Sequence, residues 1–194
     1  MSAQQTEVLS RVETRLDFLL HLINDLLALA ASKSLDDEKP LQPVPVQAVL
    51  QRVLDRFAEE ARGKPVGIKL TLPAEPLLVR ASEDGLDSIL RNLIGNAIKY
   101  TPAAGCVSVD CETDGVDVIL RVADTGIGIS KEDLAHIGEE FFRAKNAHLQ
   151  GIPGTGLGMS IVKQYVDRFE GEMSIASEEG HGTTFTIKLP LWRE

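Results

Sequence analysis

Cysteine, aromatic residues and positive charge are all scarce in this chain, and each scarcity excludes something. Its 194 residues include two cysteines, Cys106 and Cys111. Five positions apart in one predicted strand, they point to opposite faces and cannot bond to each other. Two unpaired thiols suit a reducing compartment and exclude a disulfide-stapled scaffold. Aromatics make up 5% of a chain that is 43% hydrophobic, so Leu, Ile, Val and Ala must fill the core. Twenty basic residues against 29 acidic ones leave a net charge of −9. That argues against a general nucleic-acid binder, which needs a basic face to displace counterions. One bound nucleotide is still allowed, because a few placed donors can hold a phosphate. Long apolar runs are missing too. "FLLHLINDLLALAA" is interrupted by His21, Asn24 and Asp25 and is too short to span a bilayer. The polar start "MSAQQTEVLS" has no signal-peptide character. The expectation is a soluble, cytoplasmic chain.

What is present divides the chain into three. Leu9, Val12, Leu16, Leu19, Ile23, Leu26 and Ala30 alternate spacings of three and four, a heptad seam on one helix. Leu20 and Leu27 widen the seam beyond what a lone helix can hide, so it needs a partner. "ASKSLDDEKPLQPVPV", with Pro40, Pro43 and Pro45 and the solvated charges Asp36, Asp37 and Glu38, reads as a linker. The predicted organisation is a helical segment over 1–34, a linker over 35–45 and a second unit over 46–194. In that unit an amphipathic helix over about 47–62 stops at Gly63 and Pro65. Strands are predicted at "VGIKLTL" and "PLLVR". Ser82 is placed to cap a helix through "EDGLDSILRNLIGNAIKY", and Thr101-Pro102 to stop it. The strands "CVSVDCET" and "GVDVILRVA" flank an Asp114-Gly115 hairpin signal. A short helix near 131–137, an irregular stretch through "FFRAKNAHLQGIPGTG" and a helix over 157–170 come next. "EMSIASE" and "GTTFTIKLP" close the chain as strands. Alternating helices and hairpins predict an α+β, two-layer sandwich with a mixed sheet and helices on one face.

Three segments carry residues that cost stability unless they are used. In "RNLIGNAIKY", Leu86, Leu90, Leu93 and Ala97 form the packing stripe, while Asn92, Asn96 and Lys99 stack along a neighbouring edge. Asparagines are poor helix formers. Their amide oxygens can ligate a hard cation, and an ammonium can neutralise phosphate. Each Asn alone is most simply a solvated flank; the three together on one edge are harder to explain so. In "DTGIGI", Asp124 ends a strand, and Gly126 and Gly128 let the backbone approach a flat ligand. A carboxylate there can accept from an exocyclic amine such as that of adenine, although an Asp-Thr-Gly turn by itself only caps a strand. In "PGTGLGMSIVK", Gly154, Gly156 and Gly158 open a helix whose N–H groups can cradle phosphate. Leu157 and Gly158 stand where a Walker loop would have Lys and Ser/Thr, and no strand directly precedes to complete a dinucleotide fingerprint.

Taken together and in this order, these segments resemble the ATP-binding catalytic domain of sensor histidine kinases, in the superfamily of gyrase, the 90-kDa heat-shock chaperone and MutL. "NLIGNAIKYTP" is similar to that family's asparagine box, and "DTGIGI" to its first glycine box. "EEFFRA" resembles its phenylalanine box and "GTGLGMSIVK" its second glycine box. The likeness covers about residues 46–191. It implies ATP held under a mobile lid over roughly 130–153. By resemblance Asn96 ligates Mg²⁺ with Asn92 beside it, Lys99 and Tyr100 line the phosphate and base sides, and Asp124 takes the adenine amine. Arg143, after Phe141 and Phe142, approaches the phosphates. Gly154, Gly156 and Gly158 shape the lid hinge. The implied ATP-binding set also takes in Gly126, Gly128, Ile129, Phe142, Thr155, Leu157 and Thr184, and the implied catalytic set is Asn92, Lys99 and Arg143. In the family the γ-phosphoryl group passes to a histidine and then to an aspartate on a response-regulator receiver domain.

The leading helix resembles the second helix of the family's dimerisation and phosphoacceptor hairpin. The acceptor motif H-E-x-x-T/N-P of the first helix does not occur here. His21 is followed by Leu22 rather than an acid and takes an outward heptad position, which needs no functional explanation. His136, His148 and His181 read as solvated surface, and Glu139 and Glu140 as a solvated pair or as a support for Arg143. Truncation of a longer sensor, membrane-bound or not, is the expectation, with the acceptor helix or a second copy of the chain as partner. Two alternatives stay open: an ATP-regulated binding module without kinase output, and a serine kinase of the anti-sigma-factor type.

Overall fold

A computed structural model describes residues 3–34, 40–60 and 66–193. Asp36, Asp37, Glu38, Gly63, Pro65 and the His21 side chain lie outside the described residues. The chain runs α1 (Ala3–Ser34), β1 (Gln42–Pro45), α2 (Val46–Glu60), β2 (Gly67–Thr71), β3 (Leu78–Ala81) and α3 (Glu83–Tyr100). It continues through β4 (Cys106–Thr113), β5 (Asp117–Asp124), α4 (Lys131–Leu134), α5 (Lys145–Leu149), α6 (Gly158–Arg168), β6 (Glu172–Glu178) and β7 (Gly182–Pro190).

The main sheet has the order β2-β4-β5-β7-β6. Its β2–β4 pair is parallel and the other pairs are antiparallel, so the sheet is mixed. Period-two alternation sets its faces. Val107, Val109 and Cys111 of β4, Val118, Leu120 and Val122 of β5, and Phe185, Ile187 and Leu189 of β7 all turn to the core side. The helices cover that side. On α3, Leu86, Ile89, Leu90, Leu93, Ile94 and Ala97 are buried, which leaves Asn92, Asn96 and Lys99 on the adjoining edge. Ser82 caps α3 by accepting from the Gly85 N–H, 3.3 Å away. Glu83 and Asp84 sit in its first turn, where the helix dipole favours acids. Cys106 is exposed and Cys111 buried, and both thiols are unpaired.

Two elements depart from the sequence expectation. Gln42–Pro45, assigned there to the linker, is a strand that pairs antiparallel with β3, with Val44 buried. Proline fits because this is a two-stranded edge, where a missing N–H need not break a ladder. Val44 thereby joins Val46 in the same buried cluster. In the segment expected to be irregular, Lys145–Leu149 forms α5. Its start is fixed from outside, by the buried Asp133 side chain of α4 accepting from the Lys145 N–H at 2.8 Å.

The long helix α1 places its heptad seam in solvent, since Leu9, Val12, Leu16, Leu19, Ile23 and Leu26 are all exposed. A different face meets the rest of the chain. Leu29 is buried, and Leu22 and Ala28 pack beside it against the core. No helix among the described residues is long and apolar enough to cross a membrane.

Core and seam predict opposite responses to truncation. Leu90→Ala, at a fully buried position, should cost about 2–5 kcal/mol. Leu20→Ala, at 59% exposure, should stay within about 0.5 kcal/mol. Urea unfolding of the two variants checks both values.

Candidate functional site

One large cleft, of about 1150 Å³, opens between α3, the loop after β5, the lid segment that carries α4 and α5, and the start of α6. The exposed edge of α3 forms its floor, with Asn92, Asn96, Lys99 and Tyr100 all on the wall. The side chains of the two asparagines are already oriented by the fold. Asn92 donates Nδ2 to the Ser88 carbonyl at 2.9 Å. A Cβ on Gly158 would collide with its Oδ1, so a side chain there would push the Asn92 amide out of this position. Asn96 donates Nδ2 weakly to Met159 Sδ at 3.7 Å, which leaves its amide oxygen available to a ligand.

Asp124 ends β5 and is partly buried. Its Oδ1 accepts from the Gly126 N–H at 2.8 Å and the Thr183 N–H at 3.3 Å. Burial pushes its carboxyl up from the ordinary value, and those two N–H groups pull it back. The loop that follows is pinned along its length. Ile127 donates to the Tyr100 carbonyl, and Ile129 to Ser177 Oγ. Asn146 of α5 donates to the Gly128 carbonyl at 2.8 Å, which ties lid to loop. Gly128 has φ +64°, and a Cβ there would strike the Glu178 backbone. The second glycine of "DTGIGI" thus turns the chain against the β6–β7 hairpin.

Lys99, Arg143 and Gly154 meet in a separate, cationic corner. A Cβ on Gly154 would sit 2.7 Å from Lys99 Nζ and 3.6 Å from Arg143 Nε. Arg143 donates Nη2 to the Ile152 carbonyl, while its buried Nε has no partner in the protein. Lys99 Nζ also lies 4.9 Å from the centre of the Tyr100 ring. Burial and then the Arg143 charge lower the Lys99 amine to about 8, against a smaller upward pull from Asp25. Two neighbouring cations and an orphaned N–H describe a corner built for an anion.

The structure brings most of the sequence-predicted residues to this wall: Asn92, Asn96, Lys99, Tyr100, Asp124, Gly128, Ile129, Phe142, Arg143, Gly154, Thr155, Gly156 and Gly158. Three fall elsewhere. Gly126 is buried behind Asp124 and serves through its N–H. Leu157 is a core residue with no exposed surface. Thr184 faces the opposite side of the sheet, and its neighbour Thr183, paired with Asp124, lines the cleft instead. The parity of Phe185, Ile187 and Leu189 could have shown this, since it puts residue 183 on the core face. Asn146, and Arg15, Asn24 and Asp25 of α1, are cleft residues that sequence reasoning missed. For α1 no local signal exists.

Residues 81–193 match the family model described as histidine kinase-, DNA gyrase B-, and HSP90-like ATPase. Sensor histidine kinase WalK of Bacillus subtilis (strain 168) is 34% identical over 178 residues, which are 91% of this chain and 29% of WalK. This chain thus spans less than a third of that relative. Among solved structures, mycobacterial sensor histidine kinase MprB aligns with TM-score 0.66 and 28% identity, over 79% of this chain and 99% of that one. Full-length ShkA in complex with AMPPNP aligns with TM-score 0.75 and 29% identity, over all of this chain and 40% of that one.

The lowered Lys99 value has a definite sign. The unfolded chain, with its amine near 10.5, binds more protons between pH 8 and 10.5 than the folded one. The stability penalty of burying this charge is complete below pH 8 and fades as pH rises to 10.5. Lys99→Met should therefore melt above the parent at pH 7, with the gap closing by pH 10.5. Paired thermal melts across that range check it.

Proposed function

The chain belongs to the histidine kinase-, DNA gyrase B- and HSP90-like ATPase family, and on that premise we propose that it is the ATP-binding catalytic portion of a sensor histidine kinase. One observation carries the reading: a single cleft holds a backbone-fixed carboxylate and, apart from it, a corner of cations around an orphaned N–H. That division matches a purine at one end and phosphates at the other. Asp124 accepts from the exocyclic amine of adenine, with Thr183 beside it. Lys99 and Arg143 neutralise the phosphates, and the N-terminal turn of α6, which has no side-chain cap, points its N–H groups at them.

A magnesium ion fits this site only as a companion of the nucleotide. No cluster of three His, Cys, Asp or Glu among the described residues could cage one. The Asn96 amide oxygen is a suitable hard donor, and such an ion usually keeps water and phosphate ligands besides one or two from protein. When bound, the ion would supply charge neutralisation at the phosphates.

The proposed reaction is phosphoryl transfer to a histidine. The bond from the γ-phosphorus to its bridging oxygen breaks, an imidazole nitrogen forms the new bond to phosphorus, and ADP leaves with the electron pair. The side chains of this cleft position and neutralise; they supply no nucleophile. The acceptor histidine would come from a helix packed on the α1 seam, from a further segment or a second copy. An aspartate of a response-regulator receiver domain would take the phosphoryl group next. The proposed domain division follows: α1 as part of the acceptor hairpin, and 42–193 as the ATP-binding unit.

Calorimetry with ADP, with and without Mg²⁺, tests the reading. Asp124→Asn keeps Oδ1 for Gly126 and Thr183 but exchanges the other oxygen for a donor, and should weaken ADP about a hundredfold. Asn96→Asp should change the dependence of affinity on Mg²⁺. Unchanged affinity in both variants would show that nucleotide binds elsewhere. The purified chain should form no acid-labile phosphohistidine from γ-labelled ATP. Strong self-labelling that disappears in His21→Ala would assign the acceptor to α1 instead.

A further inference from the structure

Resting on the nucleotide reading above, we propose that α1 is a latch displaced by nucleotide: Asp25 sits in the cationic corner as a resident anion, clamped to Thr155, and incoming phosphates expel it and release α1.

The placement of α1 is the first ground. Arg15, Asn24, Asp25 and Ala28 form part of the cleft wall, so a helix outside the family-matched segment reaches the site. The second is a specific contact. Thr155, in the glycine-rich loop, donates its hydroxyl to Asp25 Oδ2 at 2.5 Å, across 130 residues of sequence. A hydroxyl donated to a carboxylate is a charge-assisted hydrogen bond, stronger than a neutral one. The same hydroxyl accepts from the Leu157 N–H at 3.3 Å, just before α6 begins. Asp25 is thus fixed to the loop that would close on phosphate.

The charges around the cleft explain why an acid belongs there. Arg15, Arg91, Lys99 and Arg143 line it, against Asp25 and Asp124. Asp124 is held by Gly126 and Thr183, whereas Asp25 acts on Lys99 and partly offsets the depression that burial and Arg143 impose. A di- or triphosphate carries more charge than one carboxylate and must compete for the same cations. It would win there, because Asp25 is backed by few packed neighbours. Among the described side chains of α1, Leu29 alone is buried to the level of the core. Where so few of the described side chains are buried, opening costs little free energy.

Linkage then couples the two faces of α1. If nucleotide loosens the helix from the catalytic unit, a partner that captures the exposed Leu16–Leu26 seam in a geometry incompatible with the latch must tighten nucleotide binding by the same factor. One side chain would connect the interaction surface to the ATP cleft.

The test uses the full 194-residue chain, with ADP as the probe, in calorimetry with and without Mg²⁺ and in backbone hydrogen exchange. Asp25→Asn keeps an acceptor for Thr155 but removes the charge; Asp25→Ala removes both. Each should bind ADP about three- to tenfold more tightly than the parent, with or without Mg²⁺. Amides over 22–29 should exchange slowly in the nucleotide-free parent, and faster on adding ADP. In Asp25→Ala without nucleotide they should already be fast. Unchanged or weaker ADP binding by both variants overturns the latch while leaving the nucleotide site standing. A loss confined to Mg²⁺-containing buffer overturns it by making Asp25 a metal ligand. No ADP binding by the parent chain removes the nucleotide reading itself and the latch with it.

Discussion

The Asp124 carboxylate, gripped by the Gly126 and Thr183 N–H groups, is the constraint around which the cleft is arranged. It is paired with β7 at its backbone and with the glycine loop at its side chain, so strand end and loop start are one rigid corner. Tyr100 closes the same corner from α3 by accepting the Ile127 N–H, and Ser177 closes it from β6 by accepting the Ile129 N–H. Four elements converge on six residues of chain. A buried carboxylate is costly unless hydrogen-bonded, and here the hydrogen bonds that satisfy one oxygen also fix where the other lies.

The second half of the cleft works by a different logic. Lys99 and Arg143 are brought together in spite of their repulsion, with the lid and the glycine-rich loop packed over them. Gly154 leaves room for them, since a Cβ there would displace the Lys99 ammonium from its place. Such an arrangement costs stability, which Asp25 offsets in part, and it links stability to pH at one lysine. The lid that carries Arg143 is itself held by short-range devices. Ser130 caps α4, Asp133 caps α5 and Asn146 fastens α5 to the glycine loop. All three devices are side-chain hydrogen bonds to backbone groups.

Much of this was legible before any coordinates. The span of α3, its Ser82 cap and its stop at Thr101 follow from a capping residue, a 3.6-residue stripe and a proline. The strands β4, β6 and β7 follow from alternation bounded by turn residues. Asn92, Asn96, Asp124 and the glycines stood out because each is locally unfavourable where it occurs, and Lys99 because it shares the edge of the two asparagines. What stayed hidden lacks that kind of signal. Pro43 and Pro45 made β1 look like a linker, since only its edge position excuses them. The helix α5 has no cap of its own and borrows Asp133 from twelve residues away. Thr183 and Thr184 are chemically identical neighbours, separated only by which face of β7 each takes.

By itself the sequence determined most of the elements, the face that α3 buries, and a set of polar residues too costly to be accidental, because these are encoded by spacing along a few turns of chain. Only the tertiary structure decided that Asp25 reaches Thr155, that Lys99 meets Arg143 and that Thr183 rather than Thr184 turns to Asp124. Those pairings depend on how far apart folded elements come to rest, and a long-range distance leaves no periodicity for the sequence to show.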